Sequence, residues 1–255
     1  MASDKTGIGD RMKGQYEDRA RFMLPRRTYT IVRVDGKAFH SFTRGMEKPF
    51  DLGLMEVMDK TAQFMCGEMQ GAKMAYVQSD EISVLLTDFD TITTDAWFDG
   101  NVQKIASISA SLATAQFNAV CKWAHHGPAL FDARVFTIPD CIEAENYFIW
   151  RQQDASRNSI QMAAQANFSH KQLQGKSCSE CQEMLFSEKG INWNDYPARC
   201  KRGSVIKYDD SFKWTIDDEP PVFTQDRAYL QSLIPEMPQR LAKQEPGEQH
   251  TGSGG

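Results

Sequence analysis

Three acidic residues fall where the chain is predicted to turn between strands, and their positions indicate metal-assisted chemistry. Asp35 follows a run of β-branched and aromatic residues, while Asp80 and Glu81 occupy the polar tip of a predicted hairpin. In an antiparallel sheet these two turns can be neighbours, which would bring the carboxylates together. Clustered carboxylates repel one another, whereas Mg²⁺ prefers carboxylate oxygens together with phosphate and water. Two such ions about 3.5–4 Å apart can stabilise both oxygens of a phosphoryl displacement.

Residues suited to nucleotide binding surround the first of these turns. The Gly36 carbonyl is a further candidate metal ligand, because glycine lets a backbone approach closely. Lys37, His40 and Lys48 offer charge to a triphosphate, and Phe39 would either stack on a base or pack in the core. Both acidic turns also have a purely structural interpretation, since Asp-Gly and Ser-Asp-Glu are common turn sequences.

Charge along the chain is uneven. The 255 residues carry a formal net charge of −5, which excludes binding to nucleic acid through overall charge alone. One basic run extends from Arg11 to Arg33 and a second from Arg199 to Lys207. Each predicts either a solvated surface or a surface that binds the phosphates of RNA or DNA.

Composition excludes several other classes of protein. There is no apolar stretch of about 18 residues and no apolar segment typical of a secretory signal. Six cysteines in 255 residues are too few for a disulfide scaffold, so we expect reduced thiols and a cytoplasmic location. Cys178, Cys181 and Cys200 with His170 are an alternative zinc set, although they lack the second tight ligand pair of a structural zinc site.

Hydrophobic periodicity predicts an α+β fold. Strands are predicted at 28–34, 72–77, 82–86 and 133–138, and helices at 52–69 and 97–119. This order is typical of a ferredoxin-like antiparallel sheet with helices on one face, as in a polymerase palm. We therefore predict a palm-like core at 1–140, a helical and irregular part at 141–243 with helices at 143–166 and 179–186, and a disordered tail at 244–255.

Several runs of residues resemble one enzyme family. They include Arg33-Val-Asp-Gly-Lys-Ala-Phe-His40, Lys48-Pro-Phe-Asp51, Tyr76-Val-Gln-Ser-Asp-Glu-Ile-Ser83 and the runs at 146–158, 168–171 and 189–194. In this order they resemble the tRNA-histidine guanylyltransferase family, whose members extend RNA in the 3′-to-5′ direction. The resemblance covers residues 8 to 210 and implies a polymerase-like palm.

The resemblance also implies a set of site residues. Two Mg²⁺ ions would be bound by Asp35, the Gly36 carbonyl and Asp80, with Glu81 in support. The nucleotide would be held by Asp35, Gly36, Lys37, Ala38, Phe39, His40, Lys48, Ser79 and Asp80. For RNA binding we predict Arg27, Lys104, Arg151, Arg157 and Asn158, with Lys104 near the RNA 5′ end or the triphosphate. A solvated helix face is the alternative for the residues at 151–158.

The implied reaction has two phosphoryl transfers. ATP or GTP would activate the 5′ end of a tRNA, and the 3′-hydroxyl of an incoming nucleotide would then attack the activated phosphate. Where the eukaryotic branch carries His-Ile-Asn-Asn-Leu-Tyr-Asn, this chain has Glu145-Asn-Tyr-Phe-Ile-Trp-Arg151. It thus resembles the bacterial, archaeal and phage branch, which favours template-dependent repair of 5′-truncated tRNA over G addition to histidine tRNA.

Family members are commonly tetramers, so the resemblance also implies a homotetramer. Two functions of other classes stay open at this point. One is a non-catalytic RNA-binding protein on a degenerate palm. The other is a palm-type nucleotidyl cyclase, which would use the same metal pair and need no tRNA.

Overall fold

The computed structural model describes residues 7–123 and 127–238, so the predicted tail at 244–255 lies outside the described part. A six-stranded antiparallel sheet in the order β4-β1-β3-β2-β5-β6 forms its centre. The strands are β1 (Tyr29–Gly36), β2 (Ala72–Gln78), β3 (Glu81–Leu86), β4 (Phe131–Ile138), β5 (Ser204–Tyr208) and β6 (Trp214–Asp217). The predicted antiparallel α+β fold is confirmed.

Helices cover both faces of this sheet. They are α1 (Ile8–Met12), α2 (Phe39–Phe42), α3 (Leu52–Glu68), α4 (Val102–Val120), α5 (Cys141–Asn167), α6 (His170–Leu173), α7 (Cys178–Lys189), α8 (Ala198–Arg202) and α9 (Arg227–Leu233). The side chains of Asp51, Asn101 and Asp140 cap the amino termini of α3, α4 and α5, each accepting a bond from a backbone N–H. Such caps explain why the helices begin at these residues.

The two faces of the sheet carry separate hydrophobic clusters. On one face Val32 and Val84 pack with Met58 and Met65 of α3 and with Phe117 of α4. Because strand residues alternate between faces, the opposite face of the sheet carries a second set of apolar side chains. This set includes Tyr29, Ile31 and Leu85, and it packs against Phe148 of α5 and Leu230 of α9. The palm helices thus lie on one face as predicted, while α5 covers the other.

The carboxyl-terminal part also contributes to the sheet. β5 pairs with β2, and β6 pairs with β5; neither strand was predicted. Both nitrogens of the Arg199 guanidinium that face Asp59 lie 2.9 Å from its carboxylate, a buried ion pair that joins α8 to α3. Within the described residues, no helix is both long and apolar enough to cross a membrane.

Candidate active site

The register of β1 and β3 brings the predicted carboxylates together. Asp35 lies directly opposite Glu81, so their side chains leave the same face of the sheet. The backbone N–H of Gly36 donates to the carbonyl of Asp80 at 3.1 Å, which holds the two acidic turns side by side. Residues 45 positions apart in the sequence therefore meet at one end of the sheet, as the hairpin argument predicted.

A cavity of about 630 Å³ opens above these carboxylates. The ends of β1, β2 and β3 form one wall, and the face of α5 that looks toward the sheet forms the other. Its lining consists of Arg33, Asp35, Gln78, Ser79, Asp80, Glu81, Trp150, Arg151, Asp154, Asn158, Gln161, Met162 and Gln165. This volume is in the range of small-molecule and cofactor sites, and all lining residues except Trp150 and Met162 are polar or charged.

Negative charge is concentrated on the Asp35–Asp80 pair. Burial and, secondly, the charge of Asp35 raise the pKa of Asp80 to about 6. A cation placed between the carboxylates would remove this repulsion. No group of three or more His, Cys, Asp and Glu side chains within residues 7–123 and 127–238 is arranged to hold a metal. Two carboxylates and a backbone carbonyl nevertheless fit Mg²⁺, which takes its other ligands from phosphate and water.

Glu81 is held by arginines. Arg151 of α5 donates from Nε and Nη2 to the two carboxylate oxygens of Glu81, both at 2.7 Å. The Nε of Arg33 lies 3.5 Å from the same carboxylate, and both Glu81 and Arg151 are buried. Bidentate arginine pairs of this kind fix geometry as well as charge. Arg151 therefore positions Glu81, and its guanidinium is already engaged where we predicted an RNA contact.

Asp154 organises the part of α5 that faces the cavity. Its carboxylate lies 3.2 Å from Arg151 and 2.6 Å from Arg157, and accepts a bond from Asn158 at 3.4 Å. Arg157 is exposed, and Asn158 lines the cavity. Polar side chains four and seven residues apart share one helix face. That spacing is the signal that would have added Asp154 and Gln161 to the predicted site.

The turn after β1 is anchored by Phe39. A Cβ atom added to Gly36 would lie 2.2 Å from the Phe39 ring, so only glycine fits there. The ring itself is buried and contacts Phe42, Phe117 and Phe131. A base cannot stack on Phe39: the core alternative holds for this side chain, and the backbone of the turn is what it offers a nucleotide.

Two non-glycine residues at these turns have positive φ angles. Ala38 has a φ of 55° and Ser79 a φ of 48°, a conformation that costs free energy and persists mainly where function or packing requires it. Ser79 lines both the main cavity and an adjoining one of about 160 Å³ that includes Lys48. Lys37 and Ala38 line a third, of about 240 Å³, while His40 is exposed on α2.

Two predicted RNA contacts lie away from the cavity. Arg27 precedes β1, whose eight residues separate it from Asp35 by about 26 Å; its guanidinium donates to the carbonyls of Thr91 and Ile92. Lys104 lies in the first turn of α4 and covers the Phe98 ring. That helix reaches the start of β4, which pairs with Gly36, at Thr114, about 15 Å further along its axis. Roles for Arg27 and Lys104 in RNA binding stay predictions.

The cysteines are distributed over separate environments. Cys181 is buried in a third hydrophobic cluster between α5 and α7, where burial raises the pKa of its thiol. Cys200 lies near Met55, with 4.0 Å between the sulfur atoms, and burial raises its pKa as well. Among residues 7–123 and 127–238, no cluster of these cysteines with His170 is arranged to hold a metal, so the zinc alternative gains no support.

Comparison with known proteins identifies the family. The family model described as tRNAHis guanylyltransferase matches residues 9–139, and that described as the Thg1 C terminal domain matches residues 143–249. The chain belongs to the tRNA(His) guanylyltransferase family. The tRNA(His) guanylyltransferase of Schizosaccharomyces pombe is 30% identical over 239 residues, which cover 86% of this chain and 88% of that protein.

Two solved structures of this family share the fold. A bacterial tRNA(His) guanylyltransferase (Thg1)-like protein in complex with ATP is 50% identical, with a TM-score of 0.85 over 89% of this chain and 99% of that one. A bacterial Thg1-like protein in complex with GTP is 44% identical, with a TM-score of 0.76 over the same shares. The match to the family and its palm fold, expected from the motif runs, is thereby confirmed.

Proposed function

We propose that this protein adds nucleotides in the 3′-to-5′ direction to the 5′ end of tRNA, with repair of 5′-truncated tRNA as its main activity. The observation that carries the proposal is the register that joins Asp35, Asp80 and Glu81 at one end of a palm-like sheet. Membership of the tRNA(His) guanylyltransferase family supports the reaction class. The 50% identity to a bacterial Thg1-like protein bound to ATP favours the bacterial branch over the eukaryotic one.

Each residue of the site has a distinct task in this reaction. Asp35, the Gly36 carbonyl and Asp80 would hold two Mg²⁺ ions, which neutralise phosphate charge and activate the attacking hydroxyl. Glu81 lies beside them; its charge is paired with Arg151 and lies near Arg33, so it would fix the geometry of the acidic turn rather than supply a free charge.

The triphosphate of ATP or GTP would lie across the turn after β1. Lys48 and Ser79 line the cavity that adjoins the carboxylates, where a lysine can neutralise the phosphates as a point charge. The positive φ angles of Ala38 and Ser79 fix the backbone on both sides of that position. No side-chain nucleophile is needed, because positioning and charge neutralisation supply most of the catalysis in phosphoryl transfer.

The decisive experiment compares Asp35→Asn and Asp80→Asn with the wild type. Purified protein is incubated with Mg²⁺, ATP, GTP and a set of 5′-truncated tRNAs, and incorporation of labelled nucleotide is followed. We expect each variant to lose activity by roughly 10²–10³-fold or more, as on removal of one electrostatic stabiliser. Asp90→Asn is the matched control, because Asp90 is exposed and pairs with Lys73 at the far end of β3.

Other outcomes would assign the site differently. Full activity in either variant would remove the carboxylate pair from the mechanism. Cyclic nucleotide formed from triphosphate alone would indicate a nucleotidyl cyclase, and RNA binding without incorporation on any template would indicate a non-catalytic RNA-binding protein. Comparison of intact histidine tRNA with truncated tRNAs separates G addition from repair.

The proposed substrate also bears on assembly and location. We propose a cytoplasmic homotetramer, as expected from the family, in which further subunits extend the surface available to tRNA. Light scattering of the purified protein measures the assembly, and a monomer at assay concentrations would contradict it.

A further inference from the structure

Trp150 is an exposed aromatic residue inside a polar cavity. Its side chain is 47% exposed and lines the cavity that contains Asp35 and Asp80. Phe148 and Ile149 beside it on α5 are buried in the core against the sheet. About half of the Trp150 surface therefore stays accessible to a ligand in the cavity that holds Asp35 and Asp80.

The indole ring is held in place from two sides. The ring of Tyr147 meets it edge-on at 5.9 Å and 64°, and the Tyr147 hydroxyl is itself bonded to Ser83 at 2.8 Å. The guanidinium of Arg151 lies 4.5 Å from the indole centroid, and Arg151 is fixed by Glu81. Little conformational entropy would therefore be lost if a flat ligand bound to the exposed part of the ring.

Trp150 lies at the end of the cavity away from Lys48. Met162 and Gln165 line both the main cavity and the one that includes Lys48. Trp150 comes twelve residues before Met162 on the same helix, which corresponds to about 18 Å along the axis. Whereas a triphosphate at Lys48 and Ser79 occupies one end, the other end is free for the polynucleotide.

We propose that Trp150 is a stacking platform for a nucleobase at the 5′ end of the RNA. The proposal rests on the function proposed above, because it assigns the RNA to the Trp150 end of the cavity and the triphosphate to the Lys48 end. An aromatic ring accepts any base, since every base has a π-face. Such a platform would hold the end of tRNAs of different sequence, while hydrogen bonding to the template strand would select the incoming nucleotide.

The test measures binding and catalysis with four variants. A 5′-truncated tRNA labelled at its 3′ end is titrated with protein in EDTA without nucleotide, and ATP affinity is measured separately by equilibrium dialysis. We expect Trp150→Ala and Trp150→Leu to raise the Kd for tRNA about tenfold, Trp150→Phe to stay close to wild type, and ATP affinity to be unchanged. Phe186→Ala is the matched control, because Phe186 is an aromatic residue of α7 with 62% exposure.

The variants separate stacking from packing. Leucine keeps an apolar contact with Arg151 but has no π-face, so a leucine variant that binds tRNA like the wild type would overturn the proposal. Equal loss of ATP affinity would also overturn it, because the base would then belong to the triphosphate. A fall in kcat with an unchanged Kd would assign the effect to the Arg151–Glu81 pair instead. Wild-type protein that binds tRNA through Trp150 but never incorporates nucleotide would refute the proposed function alone.

Discussion

At the level of single residues, one proposed metal ligand, Asp80, opposes the stability of the fold. Asp80 sits beside Asp35 at the edge of a buried sheet, and its raised pKa of about 6 means that its ionised form destabilises the folded state. When the pKa of a carboxyl group is higher in the folded than in the unfolded protein, the folded state becomes less stable as the pH rises from the ordinary pKa to the raised one. The site is therefore maintained for its chemistry rather than for the fold.

Asp80→Asn is expected to stabilise the metal-free protein while it abolishes activity. The amide keeps the size of the side chain, avoids the cost of burying a charged carboxylate and removes the repulsion from Asp35. We expect these changes to raise the free energy of unfolding by on the order of 1 kcal/mol at pH 7.5. Urea unfolding in EDTA measures the change. A variant less stable than wild type in EDTA would show that the carboxylates are stabilised by contacts other than a cation.

Arg151→Met is expected to destabilise the fold, because it leaves the buried carboxylate of Glu81 without its bidentate partner. Breaking one side of a buried ion pair costs about 3–5 kcal/mol. The double variant Glu81→Gln with Arg151→Met removes both charges and should recover most of that stability while incorporation stays low. If the double variant were as unstable as Arg151→Met alone, the loss would come from packing of the arginine and not from the unpaired charge.

At the level of secondary structure, sequence patterns predicted where strands occur better than which strands pair with one another. The predicted strands at 28–34, 72–77 and 82–86 agree with β1, β2 and β3 within a few residues, because β-branched runs end at turn residues. β5 and β6 were missed because they are only five and four residues long. β5 pairs with β2, more than 120 residues earlier, and β6 pairs in turn with β5. No local pattern records such a partner.

Without the family resemblance, which also indicated Arg151 and Asn158, the site was predictable only where it lies on turns. Acidic residues at strand ends were visible in the sequence, so Asp35, Asp80 and Glu81 could be placed together. The arginine that holds Glu81 comes from a helix 70 residues away, and burial of Phe39 depends on α4 and β4. Both follow from tertiary packing, which a single sequence does not display.

Glu180 should stabilise α7 through its charge. Its pKa is lowered to about 2 by the backbone N–H of Ser177, by Lys176 and by the Ser177 hydroxyl, in a capping box at the start of the helix. The stabilisation is therefore complete above the ordinary carboxyl range and is lost as the pH falls toward 2. We expect Glu180→Gln to lower Tm at pH 7 and the difference from wild type to shrink below about pH 4; Glu183→Gln is the control. A difference independent of pH would exclude the charge as its cause.

At the level of the whole molecule, the proposed palm and carboxyl-terminal parts share one sheet. β5 continues the sheet beyond β2, and α5 covers a face of the palm that carries Tyr29, Ile31 and Leu85. The buried pair of Asp59 and Arg199 adds a link between α3 and α8. The boundary near residue 140 therefore divides the chain in sequence but not in space, because residues from both sides of it pack in the same hydrophobic cluster.

A fragment of residues 1–140 is expected not to fold alone. Without α5 and β5 it would expose the apolar face of the sheet and the hydrogen-bonding edge of β2, which favours aggregation. Circular dichroism and analytical ultracentrifugation of the fragment provide the test. A monomeric fragment with a cooperative thermal transition would show that the palm is independent, and mixing it with residues 141–255 then measures how much the contact adds.

The contact between Gly36 and the Phe39 ring ties ligand binding to the interior of the protein. The ring beneath the loop belongs to an aromatic group with Phe42, Phe117 and Phe131. A smaller side chain within that group, such as in Phe117→Leu, would remove packing beneath the turn at residues 36–39. We expect this turn to lose its ordered conformation at a lower temperature than the one at which the whole protein unfolds. Temperature-sensitive variants of this kind should therefore lose affinity for ATP at temperatures where the protein is still folded.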